Sequence, residues 1–207
     1  MSEDDYWSAV QTMRLRIADL LDTLSPAEWD APSLCAGWRV REVAGHLSLV
    51  PTITTWELIA AGPRGRFNPH HINTVLALRY GALGGPAIVA RLRDHAADRR
   101  TAKVLDTRNS LFDAIVHSQD IARPLGRDFP IPVDYARAGL DRVWAVGFPF
   151  HARRRFAGVT LTATDTDWTV GSGPTITGPV LALLMLTTGR IESALDSLRG
   201  PGVDALV

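Results

Sequence analysis

The sequence predicts an α+β protein that is mainly helical, and two observations carry that prediction. Up to about residue 150, apolar residues recur at the spacing of amphipathic helices. The segment after residue 155 is instead rich in Thr, Val, Gly and Asp, which is typical of short strands joined by turns. We therefore expect a helical domain at 1–150 and a small α/β domain at 151–207. Because the second segment is short for an independent core, it should pack on the first.

The first elements follow from capping and spacing signals. A helix is predicted over 4–24, where apolar residues fall on one face. The sequence SPAE at 25–28 predicts a short second helix, because Ser25 can cap it and Glu28 can complete a capping box. The sequence CAGW at 35–38 predicts a turn. Apolar spacing predicts a helix after this turn. Pro51 should kink or end that helix, and helical structure should resume in TITTWELIAAG.

The remaining elements are predicted in the same way. Gly and Pro indicate a loop at 62–69. Four further helices are predicted over 70–82, 86–100, 106–123 and 133–147. Two or three short strands should follow in FAGVTLTATDTDWTVGSGPTITG, and PVLALLMLTTG and IESALDSLRG should form two closing helices.

Composition excludes some classes of partner and location. The chain has 22 basic and 22 acidic residues, so no overall field favours nucleic acid or an anionic membrane. The N-terminal MSEDDYW lacks an apolar core, and no uncharged apolar run reaches the length of a spanning helix. Cys35 is the single cysteine, which excludes an internal disulfide and fits a reducing compartment. We expect a cytoplasmic protein without nucleic-acid or membrane partners.

A cluster of polar residues lies in the apolar segment SLFDAIVHSQDIARPLG at 110–126. Asp113 and His117 are four residues apart and share one helix face, and Asp120 follows on roughly that side. His46 is the histidine of the helix after CAGW. Two imidazoles and a carboxylate would give three protein ligands and leave a fourth position open, as a catalytic zinc site requires. The same donors also suit nickel, cobalt or iron(II).

A structural interpretation of the same residues stays open. His117 can be a core histidine held by Asp113 or Asp120, with His46 unrelated to it. An Asp and a His at this spacing also occur together by chance on many helices. Spacing alone therefore does not decide between a metal site and a structural cluster.

The sequence resembles the mycothiol-dependent maleylpyruvate isomerase family, which belongs to the DinB/YfiT-like group of metal-binding four-helix bundles. The resemblance lies in LCAGWRVREVAGHL, with Gly37, Trp38, His46 and Leu47, and in DAIVHSQDIARPLG. The C-terminal ATDTDWTVGSGPTITGPVLALLMLTTGR is similar to that family's small α/β domain. Most of the chain is therefore covered, and the implied fold is a DinB-like four-helix bundle followed by that domain.

The resemblance also implies a metal site and a cosubstrate. It places the ligands of a divalent metal, usually zinc, at His46, Asp113 and His117, and it makes mycothiol the thiol cosubstrate. The family has Glu where this chain has Asp113, which is one methylene shorter and bears on metal identity. It often has Ser or Thr at the position of Arg39, which bears on helix capping. Asp120 matches a downstream Asp and is interpreted as a group that positions a ligand, or as a competing ligand.

Two further residues are assigned with alternatives. Arg190 in TTGR is the candidate for binding a carboxylate of an anionic substrate or thiol cofactor, or it offsets a helix dipole. Cys35 is interpreted as a small, partly buried residue rather than a nucleophile or ligand.

The sequence leaves three functions open. The first is a thiol-using isomerase or S-transferase that depends on a metal. The second is a metal- or ligand-binding protein without turnover, and the third is a bundle with a structural polar cluster. A monomer and a homodimer both remain open.

Overall fold

The computed structural model describes residues 1–206 and confirms the α+β, mainly helical class. Its α-helices are α1 (Glu3–Asp22), α2 (Pro26–Trp29), α3 (Val40–Leu49), α4 (Thr55–Ala61), α5 (Pro69–Gly81), α6 (Gly85–Asp94), α7 (Ser110–Ala122), α8 (Val133–Ala145), α9 (Ala152–Arg155), α10 (Val180–Thr187) and α11 (Ile191–Leu195). Its strands are β1 (Thr160–Ala163), β2 (Thr169–Gly171) and β3 (Thr175–Gly178), and short 3-10 helices span Thr107–Asn109 and Val203–Leu206. Val207, the last residue of the predicted second domain, lies outside the described residues.

The predicted elements are present, but α9 was not predicted, and the closing helix predicted over IESALDSLRG ends at Leu195. Two further helices also differ from the prediction at a terminus. The helix predicted over 86–100 ends at Asp94, because the buried Arg14 donates to the backbone carbonyls of His95, Ala96 and Asp98 and replaces continued helical bonding. The helix predicted over 106–123 begins with the 3-10 turn Thr107–Asn109. Pro51 ends the helix before it, as expected, since α3 stops at Leu49 and α4 starts at Thr55.

The chain divides into two compact units, and each unit consists of two separate stretches of the sequence. The first consists of Met1–Ser110 and His117–Phe129, and the second of Leu111–Val116 and the chain from Pro130 onward. Helix α7 is continuous and contributes residues to both. The boundary at residue 150 therefore stays a prediction.

In the first unit, α3 is the central helix. It packs against α5 and α6, while α1 packs against α6. The close crossing of α3 and α5 depends on two glycines, because a Cβ on Gly45 would collide with the backbone N of Gly81. A cluster of buried residues continues from the end of α3, and it comprises Leu49, Ile53, Ala61, Leu76 and Ala102.

The second unit combines the sheet with helices α8 to α11. Strand β1 is central, antiparallel to β2 and parallel to β3, and its Leu161 pairs in register with Ile176 of β3. Both side chains are fully buried. Helix α10 packs against α8, α11 and β1.

Within residues 1–206, no single helix combines the length and hydropathy that crossing a membrane requires. Helices α5 and α6 reach that length and hydropathy only when taken together, and the chain bends by 108° between them.

Candidate metal centre

Helix α7 carries three of the predicted site residues. Asp113 lies one helical turn before His117, and Asp120 lies almost one turn after it. Asp120 is fully buried, whereas the side chain of His117 is 13% exposed. Polar side chains on this buried stretch need partners, because an unpaired buried charge is costly.

His46 reaches the same place from α3. It is almost completely buried, and its ring centroid lies 4.9 Å from that of His117, with the two rings at 74°. Ligand atoms of His46 and His117 lie within 4.8 Å of each other, and the same limit holds for Asp113 and His117. The structure therefore brings the predicted imidazoles together, close enough to share one ion.

The turn CAGW lies against both imidazoles. The Trp38 ring stacks nearly parallel to that of His117, with centroids 6.5 Å apart, and lies 5.8 Å from the His46 ring. The turn is closed by a hydrogen bond from the Trp38 N–H to the Cys35 carbonyl, and Gly37 has a φ of 78°, which favours glycine. The Leu34 N–H donates to the backbone carbonyl of Asp120, which fastens the turn to α7.

Asp120 orients His117. Its Oδ2 lies 2.8 Å from Nδ1 of His117. When Asp120 is ionised it can only accept, so Nδ1 then carries the proton and the lone pair of the imidazole is on Nε2. A carboxylate behind a ligating imidazole is a common support of metal sites. The positioning role of Asp120, and its alternative as a competing ligand, stay predictions.

The sequence did not predict that Cys35 would lie in this cluster. Its thiol donates to Oδ2 of Asp120 at 3.0 Å, and its Sγ lies 3.6 Å from Nδ1 of His117. Cys35 is partly buried, as expected. It is far from α7 along the chain, so no local spacing indicates this contact. Its place in the same turn as Trp38 was the available signal.

The donor set fits a divalent cation. Imidazole nitrogens with a carboxylate oxygen are ligands that zinc accepts, and three of them leave a fourth position open. A ligand atom of His46 and one of Asp113 each lie within 4.8 Å of a ligand atom of His117. Their roles as metal ligands stay a prediction, as do the identity of the ion and the effect of the shorter Asp113.

The start of α3 is held by an ion pair one turn before His46. Glu42 accepts from the backbone N–H of Arg39 at 2.6 Å, and from its guanidinium at 2.7 Å. Burial raises the pKa of Glu42, but the hydrogen bonds and charge of Arg39 outweigh it and hold that pKa below its usual value. Arg39 therefore begins the helix with the help of Glu42 rather than with a Ser or Thr cap.

Arg190 lies between α10 and α11, in the second unit. Its Nη1 donates to the Thr188 carbonyl at 2.8 Å, just beyond the C-terminal end of α10. This contact agrees with the alternative in which the arginine offsets the helix dipole. Its contact with a substrate carboxylate stays a prediction.

Comparisons with known proteins give the family. A crystal structure of mycothiol-dependent maleylpyruvate isomerase is similar with a TM-score of 0.58 and 12% identity, over 97% of this chain and 93% of that one. A histidine-to-alanine mutant of that isomerase gives a TM-score of 0.57 at the same identity and coverage. These likenesses show a shared fold, in agreement with the expected class. No curated protein matches the chain. The family model for the mycothiol maleylpyruvate isomerase N-terminal domain matches residues 10–122, more than half of the chain, and the chain therefore belongs to that family.

Proposed function

We propose that this chain is a metal-dependent enzyme that uses a low-molecular-weight thiol, mycothiol. It would act either as an isomerase of the maleylpyruvate type or as a thiol S-transferase. The observation that carries the proposal is the meeting of the His46 and His117 imidazoles from α3 and α7. Membership of the mycothiol maleylpyruvate isomerase family supports the choice of thiol.

Each residue of the cluster has a part in the proposed site. His46, Asp113 and His117 hold a divalent cation, for which zinc is our first choice. When bound, such an ion supplies a coordinated thiol in its deprotonated, nucleophilic form. Asp120 holds the Nδ1 proton of His117 and so directs Nε2 outward. Trp38 packs against both imidazoles and limits their rotation and their contact with water.

The proposal extends to the substrate and its location. The substrate is a small anionic molecule, and Arg190 is the candidate to bind its carboxylate as a bidentate pair. The single cysteine fits a reducing compartment, so we place the enzyme in the cytoplasm. No nucleic-acid or membrane partner is part of the proposal.

Metal content tests the site directly. The protein purified without chelator should carry about one divalent metal per chain, and His46→Ala should remove most of it. The matched control is His71→Ala, an exposed histidine of α5, which should keep the metal. Equal metal content in all three proteins would contradict the proposed ligands, and absence of metal from the wild type would leave the cluster structural.

Thiol dependence tests the reaction. The wild type should convert maleylpyruvate to its trans isomer, or transfer the thiol to an electrophile, when mycothiol is added, and His46→Ala should lose that activity. A protein that binds metal but shows neither reaction would instead be a metal- or ligand-binding protein without turnover.

A further inference from the structure

Atoms that could bind a cation lie near both nitrogens of the His117 imidazole. In the proposed function His117 binds the cation through Nε2, because its Nδ1 faces Asp120. On the Nδ1 side lie two further donors, Oδ2 of Asp120 at 2.8 Å and Sγ of Cys35 at 3.6 Å. Sγ and Oδ2 are themselves 3.0 Å apart. One nitrogen, one sulfur and one oxygen thus meet at one point, and of these three atoms only the sulfur has no part in the proposed function.

The spacing of these three atoms is close to that of ligands around one ion. Donors that share a tetrahedral zinc-like cation at about 2.0–2.3 Å lie roughly 3.3–3.8 Å from one another. The separations here reach from 2.8 to 3.6 Å, so small side-chain movements would open the required space. A set that contains a thiolate selects thiophilic cations over Mg²⁺ or Ca²⁺.

We propose that Cys35, His117 and Asp120 form a second cation site, separate from the one formed by His46 and Asp113 with His117. Its ligand is a thiophilic divalent cation such as Cd²⁺, Co²⁺ or excess Zn²⁺. The inference rests on the proposed function in two ways: the two sites share His117, and the activity that the second site inhibits is the proposed one.

Occupation of this site inhibits the proposed activity. The cation displaces the proton of the Cys35 thiol, which leaves to the buffer, and it takes the place of the proton on Nδ1, so that the single proton of the neutral imidazole moves to Nε2. The hydrogen bond between Asp120 and His117 is then replaced by two bonds to the ion. His117 loses the orientation that Asp120 gives to Nε2, and the catalytic ligands are no longer aligned.

Cobalt spectroscopy separates the two sites because Cys35 is the single cysteine of the chain. Bound Co²⁺ has d–d bands with any of these donors, but a thiolate-to-cobalt charge-transfer band appears only if sulfur is a ligand. We expect that Co²⁺ added to the metal-free wild type gives both kinds of band. Only d–d bands at saturation would overturn the proposal.

Two variants assign the bands. His46→Ala should keep the charge-transfer band, because its substitution leaves the sulfur site intact. Cys35→Ser should lose that band and keep the d–d bands of the first site. Loss of the charge-transfer band in His46→Ala would overturn a separate site. If Cys35→Ser binds no cobalt while His46→Ala keeps the band, the proposed catalytic site fails and the second site stands.

A measurement on the unmodified chain guards against misfolded variants. Alkylation of Cys35 by iodoacetamide should slow progressively as Cd²⁺ is added, because a coordinated thiolate is no longer a free nucleophile. Mg²⁺ at the same concentration is the control and should give no protection. An alkylation rate independent of Cd²⁺ would overturn the proposal.

Discussion

Among single residues, Asp120 connects most of the candidate metal centre. Its Oδ2 accepts from Nδ1 of His117 and from the Cys35 thiol, and its backbone carbonyl accepts from the Leu34 N–H. It is fully buried, so these bonds are little weakened by water. One side chain on α7 therefore fixes both an imidazole and the turn that carries Trp38.

Replacing Asp120 by Asn should weaken metal binding. The amide still accepts from Nδ1–H, but it lacks the charge that makes the imidazole more basic, and loss of such support costs about 10- to 100-fold in affinity. Competition with a chromophoric chelator would measure this. Asp128→Asn, an exposed aspartate just beyond α7, should bind like the wild type. An unchanged affinity in Asp120→Asn would show that Asp120 does not support a metal ligand.

The sequence predicted the part of the site that lies on one helix. Asp113, His117 and Asp120 follow helical spacing, so their common side is visible from the residue numbers. The meeting of His46 with His117 was expected from family resemblance rather than from spacing. The contact of Cys35 depends on a bond between the Leu34 N–H and α7, and such tertiary bonds leave no periodic signal.

Of the secondary-structure elements, α3 is the one on which the position of His46 depends. Its first turn is fixed by Glu42 and Arg39, and its middle is fixed by the close approach of Gly45 to α5.

The end of α6 shows a limit of prediction from sequence. The pattern continues to residue 100, but the guanidinium of Arg14 on α1 binds the carbonyls beyond Asp94.

The Glu42 interaction should make part of the stability depend on pH. Because its pKa is below the usual 4.5 in the folded chain, unfolding in acid takes up a proton there. Its contribution is complete above that value and is lost as pH falls through the lower, folded value. Since Arg39 is half-exposed, we expect only about 1 kcal/mol.

Urea unfolding across a pH series would measure this dependence. The difference between the wild type and Glu42→Gln should be constant near neutral pH and shrink in acid. Asp128→Asn, at an exposed position outside the helices, is the control and should show no such trend. A difference that grows as pH falls would mean that burial, not Arg39, controls the pKa of Glu42.

The glycine contact between α3 and α5 should tolerate no side chain. In Gly45→Ala the new Cβ would meet the backbone of Tyr80 and Gly81, so the helices must separate. Overpacking of this kind costs about 1–3 kcal/mol, more than the helix propensity that Ala adds. Urea unfolding would show it, with Gly147→Ala as the control, because its Cβ would meet nothing closer than 3.8 Å. A more stable Gly45→Ala would show that the helices move apart without cost.

Across the whole molecule, composition predicted the succession of helices, strands and closing helices, because each depends on local periodicity. It did not predict how the chain is shared between compact units, since that depends on which distant elements pack together. Helix α8 precedes the predicted boundary at residue 150, yet it packs against α10, which follows it. The Trp168 indole beyond β1 also donates to Asp141 of α8 at 2.8 Å and meets Trp144 edge-on.

These contacts predict that the isolated fragment 151–207 does not fold. Without α8 it would expose the side of α10 that packs there, and it would leave the buried Trp168 without Asp141 and Trp144. A fragment this short has little other core to offset that loss. We expect no cooperative transition by circular dichroism and tryptophan emission as red as in urea, whereas the full chain should unfold cooperatively with blue-shifted emission. A cooperative transition in the fragment would support the boundary at residue 150 and show that α8 is dispensable for the sheet and its helices.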